Sequence, residues 1–138
     1  MQRIETLRST IYPCHCDTMG HLTTSQYTLL FDAATWSLLR HAGVDDEFGQ
    51  SRTHGWADVE VTVRYQKEVR VGAAVKILSG FRRAGTRSLV ISHEMRSADS
   101  DQRHALYEAT SVRFDLTERI AIAIPPEVHA FLLDPTET

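Results

Sequence analysis

Apolar residues recur along the chain with two different periods, and the period decides the element. Val59, Val61, Val63 and Tyr65 alternate with Glu60, Thr62, Arg64 and Gln66, a period of two that predicts a half-buried strand. The alternation resumes after Gly72 with Val75, Ile77, Ser79 and Phe81. It returns with Leu89, Ile91, His93 and Met95 on one face, and then with Leu106, Glu108, Thr110, Val112 and Phe114. The run RRAGTR, Arg82 to Arg87, reads as a hairpin turn around Gly85, and Ala98 to Asp101 as a second turn. Ile4 to Tyr12 has a looser strand-like spacing, with Leu7 and Ile11 apolar, and Pro13 ends it.

Between the first two strands the period changes. Tyr27, Leu30, Phe31, Ala34 and Leu38 fall at spacings of three and four, and Leu29, Ala33 and Trp36 supply a second apolar face. Thr23, Thr24 and Ser25 are all acceptable N-caps and Gly43 a natural C′ residue, so the helix spans Thr24 to Ala42. At 1.5 Å per residue it is roughly 28 Å long, and its pattern predicts little contact with water. Pro125-Pro126 opens a short C-terminal helix through Leu133. The order predicts an α+β fold in which four long strands in hairpin sequence form an antiparallel sheet curled around one apolar helix. The sheet keeps open edges, which predicts edge-to-edge association into a homodimer or homotetramer.

Composition narrows the functional classes. A chain of 138 residues suits one domain, residues 1–138. With 15 basic and 18 acidic side chains it carries a formal charge of -3, which disfavours nucleic acid as a partner because phosphate tracking needs a basic excess. Cys14 and Cys16, one residue apart, point to opposite sides of an extended strand and are poorly placed for a mutual disulfide. No apolar run reaches the length of a signal peptide or a membrane span. A cytoplasmic protein without a membrane partner is expected.

The segment Asp17 to Tyr27, DTMGHLTTSQY, carries the candidate chemistry. It places a carboxylate, a Gly-His pair and a helix start in quick succession, and the free N–H groups of a first helical turn favour developing negative charge. Each residue also has a plainer role. Asp17 suits an ordinary Asx-turn. His21 can either orient a substrate carbonyl or Asp17, or pin the loop to the sheet. Tyr27 can contact substrate or pack in the core with its hydroxyl satisfied. Gly20 permits close approach of substrate to backbone. Asp32, a carboxylate on a mostly apolar helix, competes with Asp17 or simply faces solvent. Cys14, Cys16, His15 and His21 are possible zinc ligands, but their spacing is tighter than structural sites use and no second ligand pair follows, so no metal is expected. Arg82, Arg83 and Arg87, with Lys76, are candidates for holding phosphates at a site shared between subunits, or form a solvated hairpin tip.

The spacing Asp17-x-x-Gly20-His21-x5-Tyr27 between a first strand and a long helix resembles the hotdog-fold thioesterases of the 4-hydroxybenzoyl-CoA thioesterase type, and plant acyl-ACP thioesterase domains. The similarity runs loosely from Arg3 to Ile124. It implies a hotdog acyl-CoA thioesterase without a cofactor, in which Asp17 attacks the thioester carbonyl or deprotonates a water and the helix N-terminus polarises the carbonyl. On this reading His21 assists catalysis, Gly20, Thr24, Tyr27, Arg82, Arg83 and Arg87 bind substrate, and acyl carrier protein is an alternative thiol carrier. Two departures stand out. Thr23 and Thr24 replace an Asn pair, and Glu68, Val69, Arg70 and Val71 precede Gly72 where relatives often have proline. The segment Val59 to Asp115 also resembles thioesterase domains found alongside carnitine dehydrogenase, which implies a betainyl-CoA-like substrate. Trp36 and Trp56 are candidates to line its acyl pocket through their aromatic faces. Two other hotdog functions compete: a module that binds acyl-CoA without cleaving it, and a hydratase, disfavoured because no Asp and His stand at the spacing those enzymes show.

Overall fold

Leu89, Ile91, His93 and Met95 do share one face, and that face rests on the long helix. The structure, a computed structural model, describes residues 1–44 and 53–133. Strand β1 (Ile4–Thr10) is followed by a 3-10 turn at Pro13–His15, helix α1 (Thr24–His41) and strands β2 (His54–Tyr65), β3 (Ala74–Ala84), β4 (Ser88–Ser97) and β5 (Arg103–Asp115). A two-residue strand β6 (Ile120–Ala121) and helix α2 (Pro126–Leu133) complete the described chain. All pairings are antiparallel, in the order β1-β3-β4-β5-β2, with β6 added to β5.

This order corrects the expectation of four strands in hairpin sequence. β3, β4 and β5 are hairpin neighbours, but β2 pairs with β5 at the far edge rather than with β3. The connection from β2 to β3 passes across the N-terminal end of α1, where fully buried Val69 accepts the Leu22 amide at 2.7 Å and Arg70 bridges to His21. Burying Val69 there gives the sheet apolar cover at the helix end, which a local β2–β3 hairpin would not supply.

Tyr27, Phe31, Ala34 and Leu38 face the sheet as the three-and-four spacing predicts, with Leu30 at the margin. The first half of α1 packs on Ile77, Met95, Ala105 and Tyr107, the second half on Phe81, Leu89, Ile91 and α2. The opposite face is open, which corrects the reading of a helix with little contact to water. Leu29 is 60% and Trp36 42% exposed, with Asp32 and Ala33 beside them. One curved sheet covers only one side of a helix, so a second apolar face needs a second surface. β2 is likewise bare at Val59 and Val61. No described helix is long and apolar enough to cross a membrane.

Candidate active site

The loop from Asp17 to Leu22 is built on one carboxylate oxygen. Asp17 Oδ1 accepts the Met19 amide at 2.9 Å and the His21 amide at 3.1 Å, and the Asp17 amide donates to the His21 carbonyl. Gly20 closes this turn at φ +77°, a left-handed conformation that a side chain disfavours. A Cβ at Gly20 would meet nothing within 4 Å, so in this chain the glycine serves the turn. The other oxygen, Oδ2, has no hydrogen bond among the described residues, and the Asp17 side chain is exposed.

The turn delivers Asp17 to the start of α1. Thr23 is the N-cap in an extended conformation with no side-chain cap bond, and its carbonyl takes the amides of Gln26 and Tyr27. The Thr24 and Ser25 amides therefore remain without helical acceptors, pointing out of the helix start with the positive end of its dipole. Asp17, His21, Thr24, Tyr27, Tyr65 and Glu68 are among the residues lining a cleft of about 290 Å³ here. The first four follow from the sequence; Tyr65 and Glu68 do not. They arrive on the end of β2 and on the connection that follows, whose path across the helix tip no local pattern encodes.

The new residues change how His21 and Tyr27 are read. His21 Nε2 lies 3.3 Å from Glu68 Oε2, so the imidazole ties the loop to the β2–β3 connection. A hydrogen bond from Arg70, and then the neighbouring His21, hold the Glu68 carboxyl below its ordinary value. Tyr27 is 5% exposed, packed edge-on against Tyr65 with ring centroids 5.0 Å apart. Its phenol is pushed up chiefly by burial and is hydrogen-bonded to the Val69 backbone.

Several sequence candidates lie elsewhere. Asp32 is exposed on the outer face of α1 and is not among the cleft residues. Trp36 is on that same outer face, and the Trp56 ring already carries the Arg113 guanidinium 5.2 Å above it, so neither tryptophan lines this cleft. Lys76 is bound to Asp101 at 3.0 Å and stands six residues along β3 from Arg82, about 20 Å away at strand rise; it does not join the hairpin arginines. Arg82 pairs with Glu108 at 2.6 Å, Arg83 shares a shallow hollow with it, and Arg87 sits in the turn. All three belong to the end of the molecule that holds the C-terminal half of α1, away from the Asp17 cleft of the same chain. Cys14 and Cys16 are free thiols, and among the described residues no group of three or more His, Cys, Asp or Glu is placed to hold a metal ion.

An exposed carboxylate beside bare helical amides, on a sheet curled along a helix, is an arrangement suited to acyl transfer. Residues 13–132 match the model of the thioesterase-like superfamily. The chain belongs to that superfamily. The thioesterase is 29% identical over 107 residues to a betainyl-CoA thioesterase from Pseudomonas aeruginosa, covering 78% of this chain and 67% of that one. Among solved structures it resembles a 1,4-dihydroxy-2-naphthoyl-CoA thioesterase from Synechocystis, with TM-score 0.82, 16% identity, and coverage of 96% of this chain and 97% of the other. It also resembles a proposed thioesterase from Pseudomonas putida KT2440, with TM-score 0.79, 25% identity, and coverage of 96% and 84%. The hotdog thioester hydrolase implied by the Asp17–Tyr27 motif is thus established in family, fold and reaction class.

Proposed function

We propose that the thioesterase hydrolyses an acyl-CoA with a small cationic acyl group, of the betainyl type, at the Asp17 cleft. Asp17 carries the attack, either directly on the carbonyl or through a water it deprotonates, and the Thr24 and Ser25 amides receive the oxygen as it becomes negative. The observation that supports this most is the division of labour at Asp17, a residue of the cleft lining: Oδ1 is occupied by the loop, and Oδ2 has no hydrogen bond among the described residues. His21, tied to Glu68, positions the loop that holds Asp17.

One residue of the lining supports the cationic acyl group. Tyr65, 51% exposed, lines the cleft together with Lys67 and Glu68. The Glu68 carboxylate is answered by Arg70 and His21, so the support comes from Tyr65, whose aromatic face suits a quaternary ammonium. The relationship to the P. aeruginosa betainyl-CoA thioesterase points the same way. The test compares betainyl-CoA with 3,3-dimethylbutyryl-CoA, its uncharged carbon isostere. Betainyl-CoA should be preferred about ten-fold in kcat/KM, and Tyr65→Leu should abolish the preference. Equal turnover of the two esters by the native protein would remove the cationic substrate while leaving the Asp17 mechanism standing.

Two identical subunits would complete the site. β2 is an open edge, and Val59 and Val61 on it are exposed apolar side chains, as are Leu29 and Trp36 on α1. Antiparallel pairing of two β2 edges sets the His54 end of one subunit beside the Tyr65 end of the other. It thereby brings Arg83 and Arg87 of the partner subunit toward the Asp17 cleft, where they can hold the phosphates of coenzyme A.

A further inference from the structure

The larger hollow of about 410 Å³ is not at Asp17 but on the outer face of the sheet, away from α1. Its floor is Thr62, Ser92 and Leu106, and its rim is Arg3, Arg64 and Arg82, with Glu108 the one carboxylate among its lining residues. One wall is made by the chain start. Gln2 crosses so close over Gly80 that a Cβ there would lie 2.1 Å from the Gln2 carbonyl oxygen.

The groups facing this cleft are nearly all donors. Arg3 is anchored on Glu94 and gives a second bond to Ser92 Oγ at 3.0 Å, leaving the Ser92 hydroxyl hydrogen free to point into the hollow. Glu94 adds little negative charge to the cleft, because Arg96 and Arg103 also bind it. Arg82 is balanced by Glu108. Arg64 lies opposite Leu106 across the β2–β5 ladder and has no ion pair or hydrogen bond among the described residues. Guanidiniums that converge without enough carboxylates to answer them match the oxygens of a phosphate or diphosphate. The volume is that of a small-molecule site.

We infer that the outer-face cleft of Arg3, Arg64, Arg82, Thr62 and Ser92 binds a phosphate-bearing small molecule of nucleotide size. The sheet separates this cleft from the Asp17 cleft of the same chain, so the inference does not rest on the catalytic reading. The ligand is either a free phosphorylated metabolite or the nucleotide end of a coenzyme A ester, and both present the same oxyanions.

Calorimetric titration of the full chain with inorganic pyrophosphate and with 3′,5′-ADP tests it. Saturable binding should weaken about ten-fold in Arg64→Gln and stay unchanged in Arg40→Gln, which removes an exposed charge from α1 instead. Absence of saturable binding, or equal weakening in both variants, overturns the site. The source of the phosphate is read from kinetics. A raised KM for acyl-CoA in Arg64→Gln assigns the cleft to the coenzyme, and an unchanged KM alongside lost pyrophosphate binding assigns it to a free metabolite.

Discussion

On the proposed mechanism Asp17 does two things with two oxygens, and its isosteric replacement separates them. An asparagine in its place would keep an Oδ1 acceptor for the Met19 and His21 amides but lose the charge and the basic oxygen. Asp17→Asn should therefore lower kcat by about 10²–10⁴-fold with little change in melting temperature. Asp17→Ala should in addition destabilise by about 1 kcal/mol, since both amides lose their acceptor. Near-normal turnover in Asp17→Asn would move the chemistry to another carboxylate, Asp32 first. A second residue, His93, governs acid stability. It is fully buried, with Nδ1 2.6 Å from Ser79 Oγ and Nε2 2.7 Å from Thr35 Oγ1, and burial first and Arg3 second lower its pKa to about 3. The unfolded chain therefore binds a proton that the native core refuses. Stability is whole above about pH 6.5 and falls, by about 1.4 kcal/mol per pH unit, as pH drops from there toward 3. Urea titrations at pH 7.5 and pH 5 should show this loss, and His93→Gln should flatten it; an unchanged slope would clear His93 of the role.

At the scale of elements, Val69 would link stability to the proposed catalysis. It is fully buried under the N-terminal end of α1 and its backbone holds both the Leu22 amide and the Tyr27 hydroxyl. Val69→Ala should destabilise by about 2 kcal/mol and also lower kcat/KM, because the same connection closes the cleft; a stability loss with intact kcat/KM would detach the connection from the site. This is also where the sequence stops being readable. Helix α1 is legible almost to its last residue, because Thr23 and Gly43 punctuate a three-and-four apolar stripe. The strands are legible because their period is two, although β2 begins at His54 and β5 at Arg103, earlier than the alternation suggests. The sheet order is not, since alternation identifies a strand's buried face but not its neighbour, and β2 could join either edge. That one ambiguity hid half of the cleft. Asp17 and Thr24 are adjacent to it in sequence, whereas Tyr65 and Glu68 come to it only because β2 takes the far edge. The open face of α1 was hidden for a related reason: an apolar stripe is the same whether a sheet or another subunit covers it.

For the whole molecule, the separation of the two ends of α1 would make the proposed dimer more than a means of covering apolar surface. α1 is about 27 Å long at helical rise; Asp17 is at its start, whereas Arg83 and Arg87 lie toward the end of the sheet that packs on its C-terminal half, away from the Asp17 cleft of the same chain. The twofold pairing through β2 proposed above would cross the ends, and on that proposal a monomer would keep Asp17 and its helical amides but lose the coenzyme grip. Val61→Lys places an ammonium on the uncovered apolar strip of β2, 48% exposed in the single chain, where pairing would bury it at a cost of several kcal/mol. Sedimentation velocity should show the native protein as a dimer and Val61→Lys as a folded monomer with native circular dichroism. The monomer's KM for a coenzyme A ester should rise about ten-fold or more, while its turnover of the matching N-acetylcysteamine ester, which has no nucleotide to hold, should change far less. Arg87→Gln should reproduce the KM effect in a protein that still dimerises. A Val61→Lys monomer with native KM for the coenzyme A ester would show that each chain holds its own coenzyme, and the phosphate grip would then have to be sought within the single subunit.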